Sequence, residues 1–270
     1  MTAPGLFKSA LALIFVFGLL AARPVLAQGL DFATGNSDTP IEVFADDGIE
    51  WQQDELIFLA RGNARAVRGN VTVYGDELRA YYRKLPKGGT EIWRLDSIGN
   101  VKIVAPGETA YGDKGVYDVD NAILLVTGNN VRLVTAEDVI TAKDQLEYWE
   151  TKQMAVARGD AKAVNGGKAL AADVLVAYFE KDAQGKSAVH RIEAFDRVVV
   201  DSGPDQVKSD RGVYNVKSGI ATLTGSVRMT RDGNQLDGCR AVINMNNGVS
   251  KLFSCSDGQV GGILKPKTGP

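Results

Sequence analysis

The chain carries one histidine, His190, within Ser187-Ala188-Val189-His190-Arg191-Ile192. A Ser/His/Asp or Cys/His catalytic centre would have to use it, and no nucleophile elbow or suitably placed cysteine accompanies it. His190 therefore reads as a surface strand residue. Two cysteines and one histidine are too few for a zinc site. Four aspartates, Asp76, Asp113, Asp173 and Asp210, recur along the chain. Calcium bound between the turns of a β-roll needs several oxygen ligands close together, so this sparse column fits turn capping instead, with each carboxylate bonding nearby backbone N–H groups. A second column, Tyr81, Tyr117, Tyr148, Tyr178 and Tyr214, would suit carbohydrate stacking, but its period and setting match a packing ladder along a sheet better. Arg158-Gly159-Asp160 falls on a repeat opening, and Gly166-Gly167-Lys168 lacks the rest of a phosphate loop. Arg61, Arg65 and Arg68 could meet an anionic group together, and a solvated strand edge explains them equally. The carboxylates are spread out rather than gathered at one cleft, which argues against a polysaccharide-processing enzyme. No catalytic residue, metal or cofactor is expected.

The elements carrying these residues are repeats. A Gly with a small polar neighbour opens a phrase, an alternating strand follows, and a small residue with Asp and then Tyr closes it. Openings fall at Gly62, Gly99, Gly128, Gly159, Phe195 (without the Gly) and Gly225. The interval from Gly to Asp is 14 residues in three copies (62 to 76, 99 to 113, 159 to 173). The third copy has Ala142-Lys143 where the others have Asp. Val101 and Ile103 alternate with Lys102 and Val104, and Val227 and Met229 with Arg228 and Thr230. Such period-two runs, rich in Val, Thr, Tyr and Ile, are strands. The expected fold is all-β: one elongated, open β-solenoid or jellyroll of stacked antiparallel hairpins over residues 41–257. Such a stack buries its apolar face through its neighbours and leaves an open strand edge at each end.

At the N-terminus Lys8 precedes an apolar stretch from Ala10 to Ala22, and Val25-Leu26-Ala27 follows. This pattern predicts a signal peptide, residues 1–27, cleaved after Ala27, and hence export to the periplasm. Residues 28–40 read as a flexible lead-in and 258–270 as a disordered tail. Removing Lys8 and Arg23 from 31 basic residues leaves 29 against 33 acidic ones, so nucleic acid is not an expected partner. Cys239 and Cys255 can oxidise in an exported chain. A disulfide is expected, with two buried thiols the alternative.

The stretch Ile41-Glu42-Val43-Phe44-Ala45-Asp46-Asp47-Gly48-Ile49-Glu50-Trp51, followed by the Gly-Asn strand and the Gly-Asp, Tyr phrase, resembles the OstA-like repeat of the LptA/OstA lipopolysaccharide-transport family. The resemblance runs over about residues 41–255. It implies a non-enzymatic periplasmic carrier whose hydrophobic interior shields lipid A acyl chains. It also implies LptC-like and LptD-like partners at the terminal edge strands, and head-to-tail self-association. The interior of the jellyroll would then be lined by Val43, Val71, Val73, Ala80, Val101, Ile103, Val131, Leu133, Ala161, Ala163, Leu175, Val198, Val200 and Val227. On the strand pattern alone, the same residues could simply pack together, giving a solid scaffold or adhesin without lipid.

Overall fold

A computed structural model describes residues 40–181, 187–256 and 258–265. The expected signal peptide, all but residue 40 of the expected lead-in, and residues 266–270 of the tail lie outside the described residues. The described chain is all-β, a single antiparallel sheet of eighteen strands. They are β1 (Glu42–Phe44), β2 (Gly48–Gln52), β3 (Ile57–Arg68), β4 (Val71–Lys84), β5 (Thr90–Ala105), β6 (Glu108–Asp118), β7 (Ile123–Thr127), β8 (Arg132–Thr135) and β9 (Asp138–Thr141) in the first half. Then come β10 (Gln145–Trp149), β11 (Met154–Asn165), β12 (Lys168–Lys181), β13 (Ser187–Asp201), β14 (Asp205–Asn215), β15 (Ile220–Arg231), β16 (Asn234–Asn244), β17 (Val249–Phe253) and β18 (Gly261–Ile263). Apart from four split rungs the path is a meander, which is why alternating apolar and polar residues separated by tight turns suffice to specify it. The split rungs are β1 with β2 on β3, β7 with β8 on β6, β9 with β10 on β11, and β17 with β18 on β16.

Halfway along each rung the sheet bends, and the two resulting arms face each other across the core. On β3 the bend falls between Arg61 and Ala64, where Gly62 and Asn63 stand opposite the single residue Asp76 of β4. Two residues against one is a β-bulge, which kinks the strand and increases its twist. Gly62 and Asn63 have φ of 79° and 44°, and Gly99 and Asn100 repeat this at 72° and 48°. Glycine takes that left-handed geometry without a Cβ penalty, and asparagine tolerates it. The recurring 14-residue interval is therefore the distance between bulge partners on neighbouring strands.

The bulge also shifts inward parity on the strand that carries the lone Asp. On β4 the inward residues are Val71 and Val73 before Asp76, then Leu78, Ala80 and Tyr82 after it. The core fills the space between the arms. Ile103 and Val71 of one arm pack in one cluster with Tyr117, Leu124 and Tyr148 of the other, and further clusters follow along the stack.

The true period is longer than one phrase. Asp47, Gly62, Asp76 and Gly128 recur 97 residues later as Asp144, Gly159, Asp173 and Gly225, at matching places on their strands. This corrects the third repeat: its aspartate is Asp144, one residue beyond Lys143, and it stands beside Gly159 as Asp47 stands beside Gly62. The tail is also corrected in part. Gly261–Ile263 forms β18 on Gln235–Asp237, because an open edge of β16 remains for it to pair with.

Candidate functional site

A cavity of about 800 Å³ lies between the arms in the first half of the stack. Val43, Ala66, Val73 and Ile103 line it from one arm, and Phe58, Leu78, Ala80, Leu95, Tyr117 and Leu124 from the other. It extends to the exposed edge formed by β1 and β2, where Ile41 and Trp51 contribute. There the Trp51 indole N–H donates to the Tyr82 hydroxyl at 2.6 Å. In the second half a void of about 90 Å³ is walled by Leu170, Val198, Val200, Tyr214 and Leu223 among others. Compared at the 97-residue offset, Ala80 of the first half becomes Ala177, Leu95 becomes Ile192 and Leu124 becomes Ala221. Small residues are thus present in both halves, and composition alone does not set which half is open.

All fourteen expected interior residues face inward. Val43, Val73, Ala80 and Ile103 line the large cavity, and Val198 and Val200 the small void. Val71, Val101, Val131, Leu133, Ala161, Ala163, Leu175 and Val227 are packed into the core clusters. The sequence reading missed Trp51, Phe58, Leu78, Tyr82, Leu95 and Tyr117 on the cavity wall. The lone Asp on β4 and on β6 is the signal that would have found Leu78, Tyr82 and Tyr117, since inward parity changes there.

The aspartate column closes the corner of the fold. Asp76 accepts from Asn100 Nδ2, and Asp113 from both the backbone N–H and Nδ2 of Asn129 at 2.8 and 2.9 Å. Asp210 accepts from the Ser226 N–H at 3.1 Å. These carboxylates bridge adjacent rungs, Asp113 and Asp210 by capping a backbone N–H and Asp76 through the Asn100 side-chain amide alone. Where the fifth copy has Asp196 and Arg197 in place of Gly-Asn, the Arg197 guanidinium pairs with Asp160 and Asp173.

The tyrosines do not form one column. Tyr117, Tyr148 and Tyr214 lie on the inner face and pack in core clusters. Tyr81 and Tyr178 lie on the outer face, beneath the guanidinium groups of Arg94 and Arg191. The three arginines are separated as well, by the bulge and by parity. Arg61 is on the outer face of one arm, bonded to Glu50 and Glu77. Arg65 is on the outer face of the other arm, over Phe44, and Arg68 turns inward to the cavity wall. His190 is half-buried beside the Tyr178 ring. Cys239 and Cys255, 5.1 Å apart at Cα, are joined as a disulfide that ties the segment after β17 to β16.

Two buried carboxyls stand at matching positions, Glu108 and Asp205 (108 to 205, again 97 residues). Burial raises Glu108 to about 7. Asp205 is also raised by burial, which outweighs the attraction of Arg231 beside it.

Three comparisons bear on this architecture. An uncharacterized protein of Rhizobium meliloti (strain 1021) is 24% identical over 143 residues, spanning 51% of this chain and 76% of the relative. The crystal structure of LptH from Pseudomonas aeruginosa, the LptA-homologous periplasmic component of its lipopolysaccharide transport device, superposes with a TM-score of 0.41 at 13% identity. It covers 48% of this chain and 95% of that one. A family model described as LptA/(LptD N-terminal domain) LPS transport protein matches twice, over residues 43–144 and 140–249. Its two starts differ by the same 97 residues that relate the two halves of the sheet. Matched over most of its length, the chain belongs to the LptA/LptD N-terminal domain family of lipopolysaccharide transport proteins.

Proposed function

We propose that this chain is a periplasmic carrier that holds the acyl chains of lipopolysaccharide between its two arms and bridges inner- and outer-membrane components of the transport system. The observation that carries this reading is the apolar cavity of about 800 Å³, lined mostly by Val, Ala, Leu, Ile, Phe and Tyr and reaching an exposed edge of the sheet. Acyl chains need no specific polar contact there. Each buried methylene contributes about 0.8 kcal/mol, so ten would hold a chain by about 8 kcal/mol before the entropy of ordering it. Like grooves in series make transfer between them nearly isoenergetic, which suits a conduit. The chain acts by burial, not by catalysis.

The partners belong at the ends of the stack. At the β1/β2 edge Phe44, Ile49 and Trp51 are exposed, and at the β17/β18 edge Val249 and Ile263. Edge strands with apolar side chains on one face accept another strand by β-augmentation, the mode by which LptC-like and LptD-like proteins or a second copy would join.

Photo-crosslinking residues at Val73 and Ile103 are expected to capture lipopolysaccharide in cells, while one at the outward Lys102 is not. Ala80→Phe is expected to reduce capture at both inward sites by filling the cavity. Capture from Lys102 alone, or no effect of Ala80→Phe on a folded protein, would refute the reading.

A further inference from the structure

On the outer face of the arm that carries β1, one cross-strand row runs from rung to rung without a break. It reads Phe44, Arg65, Tyr74, Lys102, Tyr111, Arg132, Thr141, Lys162, each directly opposite the next in the sheet register. Aromatic rings and cations alternate over its first six positions. The cations lie over the rings beside them: Arg65 over Phe44 at 4.3 Å, Lys102 over Tyr74 at 5.6 Å, and Arg132 over Tyr111 at 4.0 Å. With strands about 4.8 Å apart, every second rung places a positive charge about 10 Å from the last.

The outer face of the other arm is organised differently. There Arg61, Arg79, Arg94, Arg158 and Arg191 each pair with a carboxylate, while Arg211 and Arg240 lie over Phe195 and Phe253. Among the described residues, no ion pair is recorded for Arg65, Lys102, Arg132 or Lys162. The next outward row toward the turns is Glu42, Val67, Thr72, Val104, Thr109, Val134 and Val139, so beyond Glu42 the ladder has an uncharged Val/Thr flank. Its opposite flank is the corner, where Asp76 and Asp113 are held by Asn100 and Asn129.

We propose that this face docks the protein onto an anionic membrane surface, with the cations meeting lipid phosphates and the Val/Thr row and the rings resting at the headgroup boundary. Aromatic residues and cations beside an apolar strip are the composition that interfacial binding selects. Binding by cations is also why a mature chain of 29 basic against 33 acidic residues could hold an anionic surface: the arrangement of charge matters at a distance of about 8 Å or less in physiological salt. This surface is separate from the cavity, and its use does not depend on what the cavity carries.

The test is co-sedimentation of the full mature chain with vesicles of phosphatidylcholine containing one-fifth phosphatidylglycerol, against pure phosphatidylcholine vesicles. Arg65→Gln/Lys102→Gln/Arg132→Gln should weaken partitioning to the anionic vesicles on the order of a hundredfold, from a contribution of roughly tenfold or less per cation near the surface. Lys114→Gln/Arg211→Gln/Arg240→Gln removes the same charge from the other outer face and should leave partitioning within a few-fold. Arg65→Lys/Arg132→Lys should retain binding, which shows that folding is not the cause of the loss. Equal losses in both triple variants would reduce the effect to net charge and overturn the proposal. So would equal binding to pure phosphatidylcholine, or displacement by soluble polyphosphate at the same phosphate concentration.

Discussion

Glu108→Gln should make the protein more stable at alkaline pH and leave it nearly unchanged in mild acid. Glu108 is 8% exposed, on the inward face of β6 between Ala105 and Thr135. Burial alone raises it to about 7 from an ordinary 4.5. Below about pH 4.5 the carboxyl is protonated in both the folded and unfolded chain, and burial carries no pH-linked penalty. Between 4.5 and about 7 the folded chain keeps a proton that the unfolded chain has released, so stability falls as pH rises. Above about 7 both states are ionised and the full difference is reached. At 1.36 kcal/mol per pH unit the interval corresponds to about 3 kcal/mol. Urea unfolding, followed by the fluorescence of Trp51, Trp93 and Trp149, would be compared for the two proteins from pH 4.5 to 8.5. The gap between them should open by about 3 kcal/mol across that range in favour of the variant. Asp205 titrates in both proteins and cancels in the comparison. Parallel stability curves, whatever their offset, would show that Glu108 is not the desolvated group described.

Gly99→Ala should destabilise by about 1–3 kcal/mol, since its φ is 72° and a Cβ would fall against the Asp76 carboxylate. Gly88→Ala shares the positive φ, at 90°, with no atom within 4 Å of the new Cβ, so an equal loss in thermal melts would remove the steric part of the argument. Asp144→Ala should cost about 1 kcal/mol by exposing the corner at Gly159, while Lys143→Ala stays within about 0.5 kcal/mol. A larger loss from Lys143→Ala in chemical denaturation would restore the original assignment of the third repeat.

Much of the fold was legible because strand chemistry is local. Alternation in Val101-Lys102-Ile103-Val104 declares a strand and its inward face without reference to anything distant, and the Gly-Asn phrase declares a place where the chain takes positive φ. The all-β stack and the inward set follow from these two signals. The 97-residue duplication was equally present in the sequence, but the shorter phrase hid it: lengthened turns varied the step between phrases while leaving the sum of three nearly constant.

What tertiary structure decided is which distant residues share a surface. Arg61, Arg65 and Arg68 are neighbours in sequence, yet the bulge and the alternation send them to the two outer faces and to the cavity. Phe44, Tyr74, Lys102 and Arg132 are far apart in sequence and form one row, because register, not spacing, sets cross-strand neighbours. How much space remains in each half was likewise beyond the sequence. Both halves carry small inward residues, and whether a space remains depends on how closely the facing arm approaches, a property of packing between residues that no local pattern encodes.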